Sequence, residues 1–322
     1  MALVFLVNSC EVKREQEREQ VKETEQKASI PVPGFNKDSA YFFIEKQVSF
    51  GPRVPNTPSH INTGNYLVAT LQRMGWDVTE QEFEATAYDD TNLRLKNIIA
   101  SYNPAATKRI LLAAHWDTRP MADKDKVDPL KPIDGANDGA SGVGVLLEIA
   151  RAISSNEGPS IGVDIIFFDG EDYGAPESFK GKSKDPVNGW CLGSRYWGDN
   201  KHRRGYSAYF GILLDMVGAS NAEFYREGYS MEIAPSIVKK VWDKAHNIGH
   251  GPIFLYRTGS PITDDHLFVY EKAKIPMIDI IDYDPIDVFK HYHHTHDDNM
   301  EIIDKNTLQA VGETVLHVVY GE

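Results

Sequence analysis

Residues 163–172 read VDIIFFDGED, a nearly unbroken apolar run closing on an Asp-Gly turn and two further acids. A short run rich in β-branched and aromatic residues, without alternation, marks a strand buried on both faces, as in parallel sheets covered by helices. The same design recurs in RILLAAHWDT (109–118), YFGILLDMVG (209–218) and PMIDII (276–281). Helical patterns follow at 141–154, near 193–200, and at 235–247, 265–273 and 306–320. Glycines 142 and 144 permit the helix at 141–154 to pack closely on the sheet. A further strand is expected at 253–256. Upstream, helical patterns at 37–50 and 59–74 flank FGPRVPNTPSH (50–60), whose prolines force an extended loop. Alternation at 76–88 and 93–102 suits antiparallel strands at one sheet edge. Together these elements predict an α/β fold: a doubly wound, mixed but mostly parallel sheet with helices on both faces.

The chain has 322 residues, 41% of them apolar and 25% charged, values of an ordinary globular protein. No composition shift after about residue 30 argues for a second domain, so 35–322 reads as one catalytic domain. A net charge of −13 argues against a nucleic-acid partner or an anionic membrane held by the folded surface. MALVFLVNS (1–9) directly precedes Cys10. This apolar stretch falls short of the roughly 20 residues that span a bilayer, and it resembles the end of a bacterial lipoprotein signal. A lipid anchor on Cys10, in the periplasm or outer cell envelope, is therefore expected, the only membrane contact anticipated. Cys191 then lacks a partner, and no disulfide is expected. Residues 11–34 begin with the almost wholly polar EVKREQEREQVKETEQKA and read as a disordered tether.

Acids and histidines stand just past the apolar runs: His115, Asp117, Glu171, Asp172 and Asp215, with Asp138 in NDGASG, Asp264 in DDH and His294 in HHTHDDN. Ligands of open α/β sheets bind beyond the strands' carboxyl ends, so these groups converge where a metal would sit. Asp138, Asp172 and His294 could supply a zinc ion with two oxygens and one nitrogen, leaving a fourth position open. Glu171 would then transfer protons. His115 and Asp215 could instead hold a second ion bridged by Asp138, and the residue types leave one or two zinc ions open. Each motif alone has a plainer reading, as a hydrogen-bonded pair, a turn or a helix cap. Their order at successive strand ends is what argues for a metal.

HWDT, NDGASG, FFDGED, LLDMVG, DDH and HTHDDN, in this order, resemble the zinc aminopeptidase superfamily. Within it, FGPRVPNTPSH and the ending HTHDDN resemble the glutaminyl cyclases, especially bacterial members of the animal type. The similarity spans roughly 35–320. It implies one zinc held by Asp138, Asp172 and His294, with Glu171 as general acid/base, Asp215 as its acidic partner, and Asp264 engaging the substrate's α-amino end. It further implies peptides or proteins with N-terminal glutamine as substrates, and pyroglutamate and ammonia as products. The chain departs from the animal enzymes in carrying Asp172 in place of Glu, and His293 where they have tryptophan. Trp190 and Phe289 are then the expected replacements for the pocket wall, beside His293. Two other functions stay on the table: a two-zinc aminopeptidase, and a tethered lipoprotein that only binds peptide or metal.

Overall fold

In the computed structural model, which describes residues 30–183, 185 and 187–322, the buried runs form the core of one six-stranded sheet. Its strands are β1 (Asp77–Thr86), β2 (Asn92–Tyr102), β3 (Arg109–His115), β4 (Gly162–Phe168), β5 (Phe210–Asp215) and β8 (Met277–Ile281), in the order β1-β2-β4-β3-β5-β8. β4, β3, β5 and β8 run parallel, while β1 and β2 join antiparallel at one edge. The mixed, mostly parallel sheet matches the expectation. β1 is exposed along most of its length and carries Asp77, Glu80, Glu82 and Glu84, charges that discourage pairing with another chain.

Alternate side chains of each strand point to opposite faces. Ile110, Leu112 and Ala114 of β3 pack with α1 (Lys37–Val48), α3 (Ala140–Ser154), α6 (Pro235–Asn247) and α8 (Lys305–Val319). Leu111 and Ala113 face the other way, toward Trp197 of α4 (Leu192–Asp199), Tyr206 and Val269. Asp164, in the middle of β4, is fully buried; Arg109 (2.6 Å), Tyr206 (2.8 Å) and Ser101 (2.5 Å) satisfy it. Val32–Glu322 forms one compact unit, and among the described residues no helix is long and apolar enough to cross a membrane. The expected lipoprotein-like segment 1–10 lies outside the described residues, as does the tether up to residue 29.

Several local expectations need correction. A Cβ on Gly142 would lie 2.1 Å from the Leu214 carbonyl of β5, so this glycine does let α3 approach the sheet. Gly144 instead faces α1, where its Cβ would meet Ile44 at 2.5 Å. The strand expected at 253–256 is β7 (Phe254–Thr258), which pairs with the short β6 (Phe224–Arg226) in a separate two-stranded sheet. β6 and α5 (Gly228–Ile233) had no periodic signal because they are only three and six residues long. The helix expected at 265–273 divides into α7 (Asp265–Phe268) and a π-helical turn at Val269–Ala273. The second helix, α2 (Pro58–Arg73), starts where Thr57 caps it and Pro58 opens its first turn.

Candidate active site and metal centre

The parallel strands deliver their last residues to one end of the sheet. His115 closes β3 and Asp215 closes β5, while Glu171 and Asp172 follow β4 after a turn at Gly170. Asp138 comes from the loop before α3. Gly139 (φ 84°) stands just before the helix, where a Cβ would lie 2.8 Å from the His115 ring, so only glycine lets Asp138 and His115 meet. Asp264 caps α7, and His294 lies in the loop after β8 with its backbone left-handed (φ 60°). A non-glycine residue held there costs free energy and is retained where side-chain placement matters.

These groups meet at a cavity of about 340 Å³. His294 Nε2 stands 3.3 Å from Asp172 Oδ1 and 3.8 Å from Asp138 Oδ2, and all three residues are buried. Asp172 Oδ2 is buried without a hydrogen-bond partner. Two carboxylates and an imidazole this close, one of the carboxylates with an unsatisfied oxygen, suit a cation of borderline softness. On the other side of Asp138, His115 Nε2 lies 3.0 Å from Asp138 Oδ1 and 3.2 Å from Asp215 Oδ1. His115 is closed off from the cavity, whereas Glu171, Asp215 and Asp264 line it. The expected wall residues line it too. Trp190 stacks parallel to the His294 ring (centroids 5.9 Å, 7°), and Phe289 stacks on His293 (4.1 Å). His293 approaches Asp138 and His294 closely, but Lys124 Nζ holds its Nδ1 at 2.8 Å.

So many acids in one buried place cannot all ionise freely. Burial pushes Glu171 well above the usual carboxyl range, reinforced by Asp264 and Asp265 and opposed by His115. Burial likewise raises Asp215 to about 7 despite the His115 hydrogen bond. Burial and the neighbouring Asp138 raise Asp172. Asp138 goes the other way: burial works against its charge, but His115 and His294 hold it well below the ordinary value. Perturbed carboxyls of opposite direction, side by side in a cavity, are what acid–base chemistry near neutrality requires.

Several residues that build the site had no role assigned to them from the sequence. Asp117 accepts the backbone N–H groups of Glu171 and Asp172, both at 3.1 Å. Asp298 does the same for Asn137 (2.7 Å) and Asp138 (3.0 Å). Each buried aspartate thus fixes the loop that presents one metal-capable carboxylate. Asp123 lies 3.4 Å from His294 Nδ1, close enough to act on the imidazole's charge though beyond a formed hydrogen bond. Arg119 is fully buried. It donates to Asp123 (2.5 Å) and to the carbonyls of Asp172 (3.1 Å) and Gly174 (3.2 Å), and its guanidinium stands 4.7 Å over Trp190. Asp117 and Asp298 belong to the quoted motifs, so their positions were visible though their roles were not. Arg119 and Asp123 lie in TRPMADK, where nothing in the spacing sets them apart.

Beyond the strand ends of a mostly parallel sheet, metal-capable groups beside a carboxyl proton carrier are the working arrangement of metal-dependent acyl-group enzymes. The chain belongs to peptidase family M28, whose model matches residues 97–319. It is similar to the glutaminyl cyclase of Bacteroides thetaiotaomicron, solved with N-acetylhistamine: 55% identity over 91% of this chain and 100% of that one, TM-score 0.88. A structure from Parabacteroides distasonis described as a Zn-dependent exopeptidase is similar to the same degree, with 51% identity over 91% of this chain and 100% of that one and a TM-score of 0.88. The glutaminyl-peptide cyclotransferase of Drosophila melanogaster is 27% identical over 80% of this chain and 73% of its own.

Proposed function

We infer that this chain is a zinc-dependent glutaminyl-peptide cyclotransferase, which closes the N-terminal glutamine of peptides or proteins into pyroglutamate and releases ammonia. The observation that carries the reading is a similarity to a glutaminyl cyclase at 55% identity over 91% of this chain, joined to a cavity lined by Glu171, Asp215 and Asp264. Asp138, Asp172 and His294 would hold the zinc; the orphaned Asp172 Oδ2 and the converging His294 Nε2 fit that group. When bound, zinc supplies a Lewis acid for the γ-carboxamide.

The protein's own residues do the rest. Asp264 engages the substrate's α-amino end at the cavity wall. Holding amine and amide together makes ring closure intramolecular, which removes much of its entropic barrier. The new bond joins the α-nitrogen to Cδ, and the bond that breaks joins Cδ to the amide nitrogen. Glu171 takes one proton from the attacking amine and delivers one to the leaving nitrogen, so ammonia departs neutral. Asp215, whose Oδ1 lies 3.2 Å from His115 Nε2, lines the same cavity as Asp264, and burial raises its carboxyl to about 7.

One zinc per chain fits better than two. His115 Nε2 already lies at direct hydrogen-bond distance from Asp138 and Asp215, with the imidazole itself behind the cavity wall, while Asp172 Oδ2 beside His294 is left without a partner. Incubation with Gln-containing dipeptide amides should release ammonia stoichiometrically, and a Glu171→Gln form should bind peptide without turnover. Release of free amino acid without ammonia would establish an aminopeptidase instead, and two tightly held zinc ions per chain would point the same way. For location, the apolar stretch before Cys10 supports a lipid anchor in the cell envelope. The full chain should then partition into detergent, and a Cys10→Ala form should not.

A further inference from the structure

Glu171 has a neighbour that ring closure itself does not require. Cys191 is fully buried, and its thiol donates to Glu171 Oε1 at 3.2 Å. Its backbone N–H bonds the Glu171 carbonyl at 3.0 Å, and Leu192 bonds that of Gly170 at the same distance, so the two turns are laced together. The thiol, the Glu171 carboxyl and the Asp264 carboxyl all lie within 4.8 Å of one another. Among the described residues, the thiol is the hydrogen-bond donor to the Glu171 carboxyl group, while the nearby carboxyls of Asp264 and Asp265 disfavour its charge.

The backbone shows that this contact is imposed. Cys191 sits at the start of α4 in the left-handed region (φ 55°, ψ 38°), where glycine or asparagine is the usual occupant. The Cβ that makes this conformation unfavourable is what carries the sulfur to Glu171. The strain is locked by the first turn of α4, where Ser194 Oγ and the Arg195 N–H both reach the Cys191 carbonyl at 3.2 Å. Burial and the surrounding carboxylates push the thiol far above its ordinary pKa, so it remains a donor at any working pH.

We propose that Cys191 is a positioning residue for the proton carrier: its S–H fixes one oxygen of Glu171 so that the other is presented to the substrate. This rests on the reading of Glu171 as the group that moves the proton. A carboxyl free to rotate between acids would spend part of its time turned away from the amine, and turnover would fall while peptide binding stayed the same.

The test compares Cys191→Ser, Cys191→Val and Cys191→Ala in the full-length zinc-loaded protein, with kcat and KM measured separately on glutaminyl dipeptide amides. Serine keeps a donor, valine keeps the volume, and alanine keeps neither. Valine and alanine should each lose about tenfold in kcat, equivalent to about 1.4 kcal/mol of barrier, with KM nearly unchanged; serine should stay within about threefold of the parent. The reverse order, valine near the parent and serine poor, would show a packing role and overturn the proposal, as would equal activity in all three. Should alanine fail to fold, the serine and valine pair decides alone. Glu171→Gln, run in parallel, separates the two claims. If it keeps full turnover, the proton-carrier reading fails and this proposal with it; if it is inactive while valine matches the parent, only the positioning role fails.

Discussion

His294 is held in place from three directions, and this decides how its imidazole can act. Its backbone is left-handed, Trp190 stacks flat on its ring, and Asp123 faces Nδ1 at 3.4 Å. Nε2 is left to the cavity side, beside Asp138 and Asp172. Removing the Asp123 carboxylate lowers the ring's basicity, and partners of this kind commonly contribute about 10–100-fold to metal affinity. Asp123→Ala should therefore weaken zinc binding by about that factor, read by competition with a chromophoric chelator. Unchanged affinity would remove Asp123 from the site's support. That Asp123 and Arg119 matter is a fact about one residue's surroundings, and no pattern in TRPMADK announces it.

At the scale of elements, α3 and the segment around α5 carry separable expectations. Gly142 faces a backbone carbonyl of β5 at 2.1 Å, whereas the atom nearest Gly144 belongs to the Ile44 side chain (2.5 Å) and its backbone neighbour, the Ala40 carbonyl of α1, stands farther off at 3.0 Å. Gly142→Ala should cost about 1–3 kcal/mol and Gly144→Ala clearly less, as denaturant midpoints would show. Equal losses would mean that α3 shifts as a unit. Glu227 caps α5, accepting from Tyr229 and Ser230, and also accepts from Ile262 (2.8 Å) while lying 3.1 Å from His266. It so ties α5 to the loop that presents Asp264. Burial opposes its charge, but His266 and Ser230 outweigh it and hold the carboxyl down at about 2, against an ordinary 4.5. The depressed value fixes the sign. Above about pH 4.5 the contribution is complete; as pH falls toward 2 the unfolded chain takes the proton first, and about 3 kcal/mol is lost. The stability difference between the parent and Glu227→Gln should therefore shrink between pH 4.5 and 2, measured by urea unfolding. A constant difference across that window would contradict the assignment.

For the whole molecule, the concentration of buried acids at one end of the sheet makes stability depend on what neutralises them. A zinc ion held by the folded site would stabilise it by mass action, so its removal should lower the melting temperature by several degrees. A calorimetric scan before and after dialysis against a chelator, with zinc then restored, would show it; identical scans would argue that no ion is tightly held. The same scale separates what could be read from the sequence and what could not. VDIIFFDGED and its relatives determined the parallel core, because apolar runs and the acids that end them are local features whose meaning follows from burial alone. They also placed Glu171, Asp172 and Asp215 in one neighbourhood, since strands of a parallel sheet release their ends on the same side, whereas Asp138, Asp264 and His294 reach it on loops. Tertiary structure alone decided that His115 stands behind the cavity, that Asp117 and Asp298 hold the loops by backbone N–H groups, that Arg119 and Asp123 brace the far side, and that Cys191 reaches Glu171. Those contacts join segments 20 to more than 150 residues apart across irregular loops, where no periodicity relates one residue to another and only the folded backbone brings them within hydrogen-bonding distance.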